Sequence, residues 1–238
     1  MPSSPTRSPT SNNRSRADFA ATIVPLGDAG VIVRVGDSLG EVLEAARKLE
    51  AARLSEAAEI VPAFASVVIF LRAPVPLQEI EDEIRDALRK PLRKHASNRL
   101  RVIEVPVSYD PEFGLDLEIV GKHCGLSPNE IARFHSARQY EVRCVGFAPG
   151  FAYLGGLPRA LATPRRSSPR TKVAAGSVAI GGSQTGIYPL ASPGGWNIIG
   201  RTPLRLFDPA RNPAAMLRTG DRVRFLAIDR AQFEQWER

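Results

Sequence analysis

The 238-residue chain is poor in cysteine, histidine and long apolar runs. Its two cysteines, Cys124 and Cys144, are too few for a disulfide framework. No stretch approaches the ~18–20 apolar residues that a membrane-spanning helix needs. No secretory apolar segment follows the polar N-terminus. These absences point to the cytoplasm and away from a membrane. A Walker-type phosphate loop, a G-x-G-x-x-G fingerprint and a G-x-S-x-G elbow are all missing, which excludes the commonest nucleotide-binding and serine-hydrolase patterns. The three histidines, His95, His123 and His135, have no partner at metal-ligand spacing. His123 and Cys124 are adjacent, so on a helix they diverge by about 100°. The expectation is no metal, a helix-surface His123 and a buried Cys124 thiol. His135 falls on the last turn of a predicted helix, where a positive charge would complement the helix end.

Acidic residues are absent over one long span. Between Glu141 and Asp208 there is none, while Arg143, Arg159, Arg165, Arg166, Arg170, Lys172, Arg201 and Arg205 all fall there. The same span holds 11 of the 19 glycines. Such a segment attracts anions unless acids from elsewhere in the fold pair with it. A general base for any chemistry here must come from another part of the chain or from another chain. The formal net charge is +7, and Arg7, Arg14 and Arg16 supply three of the excess positive charges. Residues 1–19, rich in Ser, Pro and Arg, have too little apolar surface to offset ordering entropy and read as a disordered basic tail. Dispersed basicity without an RNP, KH or helix-turn-helix pattern argues against nucleic-acid binding.

Residues 20–106 alternate strand and helix signals in the order β-β-α-β-α-β. Thr22–Leu26 and Val31–Val35 flank the turn Gly27-Asp28-Ala29-Gly30. Ser38 and Glu41 form a capping box ahead of Val42, Ala46 and Leu49. Ile60–Leu71 reads as a strand pair interrupted at Pro62. Pro76 opens a second helix with Ile80, Ile84 and Leu88 on one face. Arg99–Val107 alternates as a strand. Past Pro106, Asp116–Cys124 reads as a helix stopped by Gly125, and Ser127-Pro128-Asn129-Glu130 opens another. From Gln139 onward, β-type runs such as Val142–Phe147, Val173–Ile180 and Arg222–Ile228 alternate with Gly/Pro turns, the pattern of an all-β barrel or sandwich. The fold class is therefore α+β: a small α/β N-terminal domain over 20–106 and a β domain over 107–238.

Four motifs carry the functional signal. In Gly146–Pro158, Phe147, Phe151 and Tyr153 occupy alternate positions and would form one apolar wall in extended chain. Thr163-Pro164-Arg165-Arg166-Ser167-Ser168-Pro169-Arg170-Thr171-Lys172 offers planar guanidinium forks for carboxylate or phosphate. Gly181-Gly182-Ser183-Gln184-Thr185-Gly186-Ile187-Tyr188 could form a backbone anion nest. Ser192–Pro203 brings Trp196 as a stacking face, with Asn197, Arg201 and Thr202 as polar groups.

These motifs, in this order, resemble the allophanate hydrolase subunit 1 / KipI family. That family includes the B component of bacterial 5-oxoprolinase and corresponds to carboxyltransferase subdomains C and D; it is also similar to half of the carboxyltransferase region of urea carboxylase. The resemblance implies a cyclophilin-like barrel for the second domain. It implies a non-autonomous component of a multi-chain 5-oxoprolinase. Such a component acts with a homologous C component and a separate A component to hydrolyse 5-oxo-L-proline to L-glutamate, with ATP consumed by the assembly. The alternatives are a KipI-type inhibitor that binds a sensor histidine kinase, or part of a urea carboxylase or allophanate hydrolase system. On the substrate reading, Arg165, Arg170 and Arg201 neutralise negative charge. Gln184, Asn197 and Thr202 orient the substrate, and Phe147, Tyr153, Tyr188 and Trp196 wall the pocket. No nucleophile or base is assigned.

Overall fold

The computed structural model describes residues 21–92 and 101–236. The expected basic tail and His95 lie outside these residues. The chain begins with a β1 (Thr22–Pro25) and β2 (Gly30–Arg34) hairpin, followed by α1 (Leu39–Ala52), β3 (Ala57–Ala63), β4 (Ser66–Leu71) and α2 (Leu77–Arg89). These strands form one antiparallel sheet in the order β1-β2-β4-β3. The Ser38–Glu41 capping box starts α1, satisfying two backbone donors that the helix itself cannot. Val42, Ala45, Ala46 and Leu49 of α1 and Ile80, Ile84 and Leu88 of α2 bury against Val33, Val67 and Ile69 of the sheet. The buried Lys48 ammonium donates to the Leu88 carbonyl (2.9 Å), which ties the end of α2 to α1. Pro62 does not interrupt a strand as expected. It lies within β3, an edge strand, where a missing N–H costs no ladder bond; the break falls instead at Phe64-Ala65.

The remaining chain builds a closed seven-stranded barrel. It comprises β5 (Val102–Ser108), α3 (Leu117–Cys124), α4 (Pro128–Ser136), β6 (Gln139–Val145), β7 (Ala152–Gly155), β8 (Arg170–Val173), β9 (Ser177–Gly181), β10 (Gln184–Ile187), β11 (Ser192–Gly194), β12 (Asn197–Arg201), β13 (Arg222–Ile228) and α5 (Arg230–Trp236). Barrel order is β10-β7-β6-β13-β5-β12-β9, while β8 and β11 pair as a separate ribbon. Only the β5–β13 pairing is parallel within the described barrel. The boundary expected at 106–107 falls inside β5, whose partners are the barrel strands β13 and β12, so the barrel already includes Val102. The expected single run Val173–Ile180 is two strands, because Gly176 turns the chain at φ +81°. Val105, Val107, Val142, Leu154, Val178, Ile180 and Phe225 fill the barrel. Among the described residues, no helix is long and apolar enough to cross a membrane.

His135 does not stand as a charged helix end. It is fully buried, stacked on Phe225 with ring centroids 4.4 Å apart. Thr185 Oγ donates its proton to the Ala179 carbonyl (2.9 Å), so it accepts from His135 Nε2 (2.9 Å). His135 Nδ1 is then the acceptor for Tyr109 OH (2.7 Å). Burial holds Tyr109 well above its ordinary range, so its donor proton stays in place. The imidazole is neutral, with burial pushing it down to about 3. His123 is exposed, and Cys124 is half-buried with its Sγ 3.5 Å from Thr163 Oγ1.

Candidate functional site

An aromatic cluster forms where β7, β10 and the Trp196 turn meet. Phe151 is its hub, with ring centroids 4.8 Å from Tyr153, 5.2 Å from Tyr188, 5.5 Å from Phe147 and 5.7 Å from Trp196. Tyr153 and Trp196 also meet, edge to face, at 5.7 Å. Glycines make this packing possible. A Cβ on Gly181 would lie 2.5 Å from the Trp196 indole, and one on Gly194 would strike the Tyr188 hydroxyl. The rim is apolar and cationic. The exposed Arg165 guanidinium sits 5.7 Å from the Trp196 ring and, among the described residues, has no carboxylate partner. Burial raises the Tyr153 and Tyr188 hydroxyls, while Arg165 pulls both slightly down. Both phenols therefore stay protonated near neutral pH and can donate.

The sequence-predicted residues divide. Phe147, Tyr153, Tyr188, Trp196 and Arg165 come together. Phe147 is not in extended chain: it occupies the β6–β7 turn at φ +73°, two-thirds exposed. Gln184 starts β10, half-buried. The other polar candidates serve the fold. Arg170 makes two bonds to Asp116 (2.8 and 2.9 Å), and Arg166 makes a third (2.9 Å). Asp116 also accepts from Ile198 N–H (2.7 Å) and is 1% exposed. The acid that neutralises this loop thus comes from outside the acid-free span, at the start of α3. Asn197 is buried and donates to the carbonyls of Pro164 (2.8 Å) and Ile180 (3.3 Å). Arg201 lies instead beside Phe113 and Phe233, donating to the Ala175 carbonyl (3.0 Å). Thr202 is buried and its hydroxyl accepts from Leu204 N–H (3.2 Å). The glycine loop makes no open nest, because the Gly182 amide is already bonded to the Thr163 carbonyl (2.8 Å).

Sequence reasoning missed Phe64. It lies in the β3–β4 turn of the first sheet, yet its ring meets Tyr153 at 5.7 Å. The available signal was an aromatic in a two-residue break between β-branched runs. Two concavities, of about 410 Å³ beside α5 (Trp236, Leu226, Ile228) and about 340 Å³ beside α3 (Lys122, Leu126, Pro128), lie elsewhere and include none of the cluster.

Residues 21–217 match the family described as carboxyltransferase domain, subdomain C and D, and the chain belongs to that family. It is 38% identical over 231 residues to the B component of 5-oxoprolinase from Bacillus subtilis, covering 90% of this chain and 96% of that protein. It is 47% identical over 171 residues to the B component of 5-oxoprolinase from Escherichia coli O157:H7, covering 70% and 76%. Among solved structures, TTHA0988 superposes with a TM-score of 0.71 at 35% identity, over 84% of this chain and 40% of that one. The chain thus spans about two fifths of that longer protein. Urea carboxylase of Kluyveromyces lactis shares the fold, with a TM-score of 0.72 at 17% identity over 90% of this chain and 22% of its own.

Proposed function

We propose that this chain is the B component of a cytoplasmic, ATP-dependent 5-oxoprolinase, acting with a homologous C component and an A component to convert 5-oxo-L-proline to L-glutamate. The observation that carries this reading is the alignment with the Bacillus subtilis protein along 96% of its length. The site's chemistry agrees with it. The substrate combines a flat lactam amide with one carboxylate. Aromatic faces suit the first, and Arg165 suits the second. Opening a lactam requires activation of the amide oxygen, which ATP supplies in the assembly. A protonated Tyr153 hydroxyl can donate to that oxygen. Among the described residues no carboxylate is bonded to the Tyr153 or Tyr188 phenol, and on this reading a second polypeptide completes the pocket and supplies the base.

The test mixes the purified chain with the C and A components, 5-oxo-L-proline and ATP, and measures glutamate release. The expected result is turnover that depends on all three proteins. Release no greater than from the other two components alone refutes the reading.

A further inference from the structure

Three described non-glycine residues adopt left-handed backbone: Arg53, Phe64 and Phe147. Arg53 has an ordinary reason, since it caps the end of α1 through its N–H to the Glu50 carbonyl. The other two are phenylalanines, at φ +50° and +73°, a conformation that bulky side chains rarely adopt. Both belong to one continuous run of ring contacts, Phe64–Tyr153–Phe151–Phe147. Both also leave their rings partly in water, Phe64 at 37% and Phe147 at 65% exposure. A strained backbone that presents an apolar ring to solvent stabilises nothing by itself. Such strain persists only where surroundings over-determine it, and it concentrates at ligand-contacting sites.

The surroundings of Phe64 do over-determine it. Its N–H donates to the Arg143 carbonyl on β6 (3.0 Å), and the Arg143 guanidinium returns to the Asp37 carbonyl (2.6 Å). Leu43 of α1 packs on the bare Gly220, where a Cβ would lie 2.9 Å away. These contacts fix the first sheet on the barrel so that the Phe64 ring lands on Tyr153.

We propose that Phe64 is a substrate-positioning wall of the aromatic site, paired with Phe147, and that the N-terminal unit reaches the ligand through it. The ligand is a flat amide bearing a carboxylate, held against the rings with its charge toward Arg165. This rests on the reading of the chain as part of an oxoprolinase and assigns that site a residue from outside the barrel.

The test compares Phe64→Asn, which tolerates left-handed backbone but lacks the ring, with Phe64→Tyr, which keeps it. Each full chain is assembled with the C and A components, and KM, kcat and the melting temperature are measured. F64N is expected to raise KM for 5-oxo-L-proline by about fivefold to tenfold, the worth of one aromatic contact, with kcat nearly unchanged. F64Y is expected to restore KM. An unchanged KM in F64N overturns the proposal. So does a melting temperature lowered by more than about 5 °C with KM intact, which marks the ring as packing between the two units. If the wild-type assembly releases no glutamate, the oxoprolinase reading fails, and Phe64 is judged on the chain alone. Trp196 fluorescence is then titrated with 5-oxo-L-proline in a Trp236→Phe background. A response that F64N abolishes supports the ligand wall, and no response overturns it.

Discussion

Acidification from pH 7.5 to 5 reads the state of His135 directly. The imidazole is neutral in the fold because burial pushes it to about 3, against an ordinary 6.5 in the unfolded chain. Between those values the unfolded chain binds the extra proton, so stability falls as pH falls. Over pH 7.5 to 5 the linkage amounts to about 2 kcal/mol, most of it below pH 6.5. The loss continues down to the folded value and then levels off. Carboxylates, with ordinary values near 4, add little above pH 5. The hydrogen bonds explain why no proton is accepted locally. Nδ1 is occupied by the Tyr109 hydroxyl, and Nε2 already donates to Thr185. Urea denaturation followed by circular dichroism at several pH values measures the slope. The variant His135→Gln is expected to be less stable at pH 7.5 but to lose most of the slope above pH 5. An equal slope in wild type and H135Q refutes a neutral buried imidazole. A nitrogen NMR spectrum with both ring nitrogens protonated at pH 7.5 refutes it as well, whereas a single proton on Nδ1 in place of Nε2 refutes only the hydrogen-bond assignment.

Asp116→Asn leaves the Arg166 and Arg170 guanidinium groups short of their charge partner, and both are at least two-thirds buried. The expected cost is about 3 kcal/mol of unfolding free energy by urea denaturation, and a change under about 1 kcal/mol contradicts the structural role given to the pair. Gly181→Ala drives a methyl group into the Trp196 indole, at 2.5 Å, and is expected to cost roughly 1–3 kcal/mol. Because the ring must swing outward, Trp196 emission shifts to the red, and an unshifted spectrum at full stability refutes the close packing.

Local rules made much of the fold legible. Ser38 with Glu41 and Ser127 with Glu130 mark two helix starts from four residues each, and both capping boxes are formed. Gly125 stops α3 in left-handed backbone as its position requires. What sequence concealed depends on contacts between distant segments. Pro62 looks like a strand breaker unless its strand is known to be an edge. Arg170 looks like a free anion site until Asp116, 54 residues earlier, is placed against it. His135 sits at the helix end that favours charge, but the barrel closes over it and desolvation outweighs the helix dipole. Phe64 belongs to the first sheet by sequence and to the aromatic cluster by docking.

The acid-free span is therefore less of an anion trap than its composition suggests. Its charges are divided by geometry. Asp116 draws Arg166 and Arg170 inward, where they pin the Pro164–Thr171 loop to β12 and the start of α3. Fixing that loop leaves its neighbour Arg165 outside, over the Trp196 face. An exposed guanidinium against an indole is held by only about 0.5–1 kcal/mol, so it can leave the ring for a carboxylate at small cost. The buried ion pair and the exposed cation are thus two parts of one device: the first sets where the loop runs, and the second stays available because, among the described residues, no carboxylate pairs with it. On the proposed function, this arrangement lets the site receive the carboxylate of an anionic lactam at Arg165 without first breaking a buried ion pair.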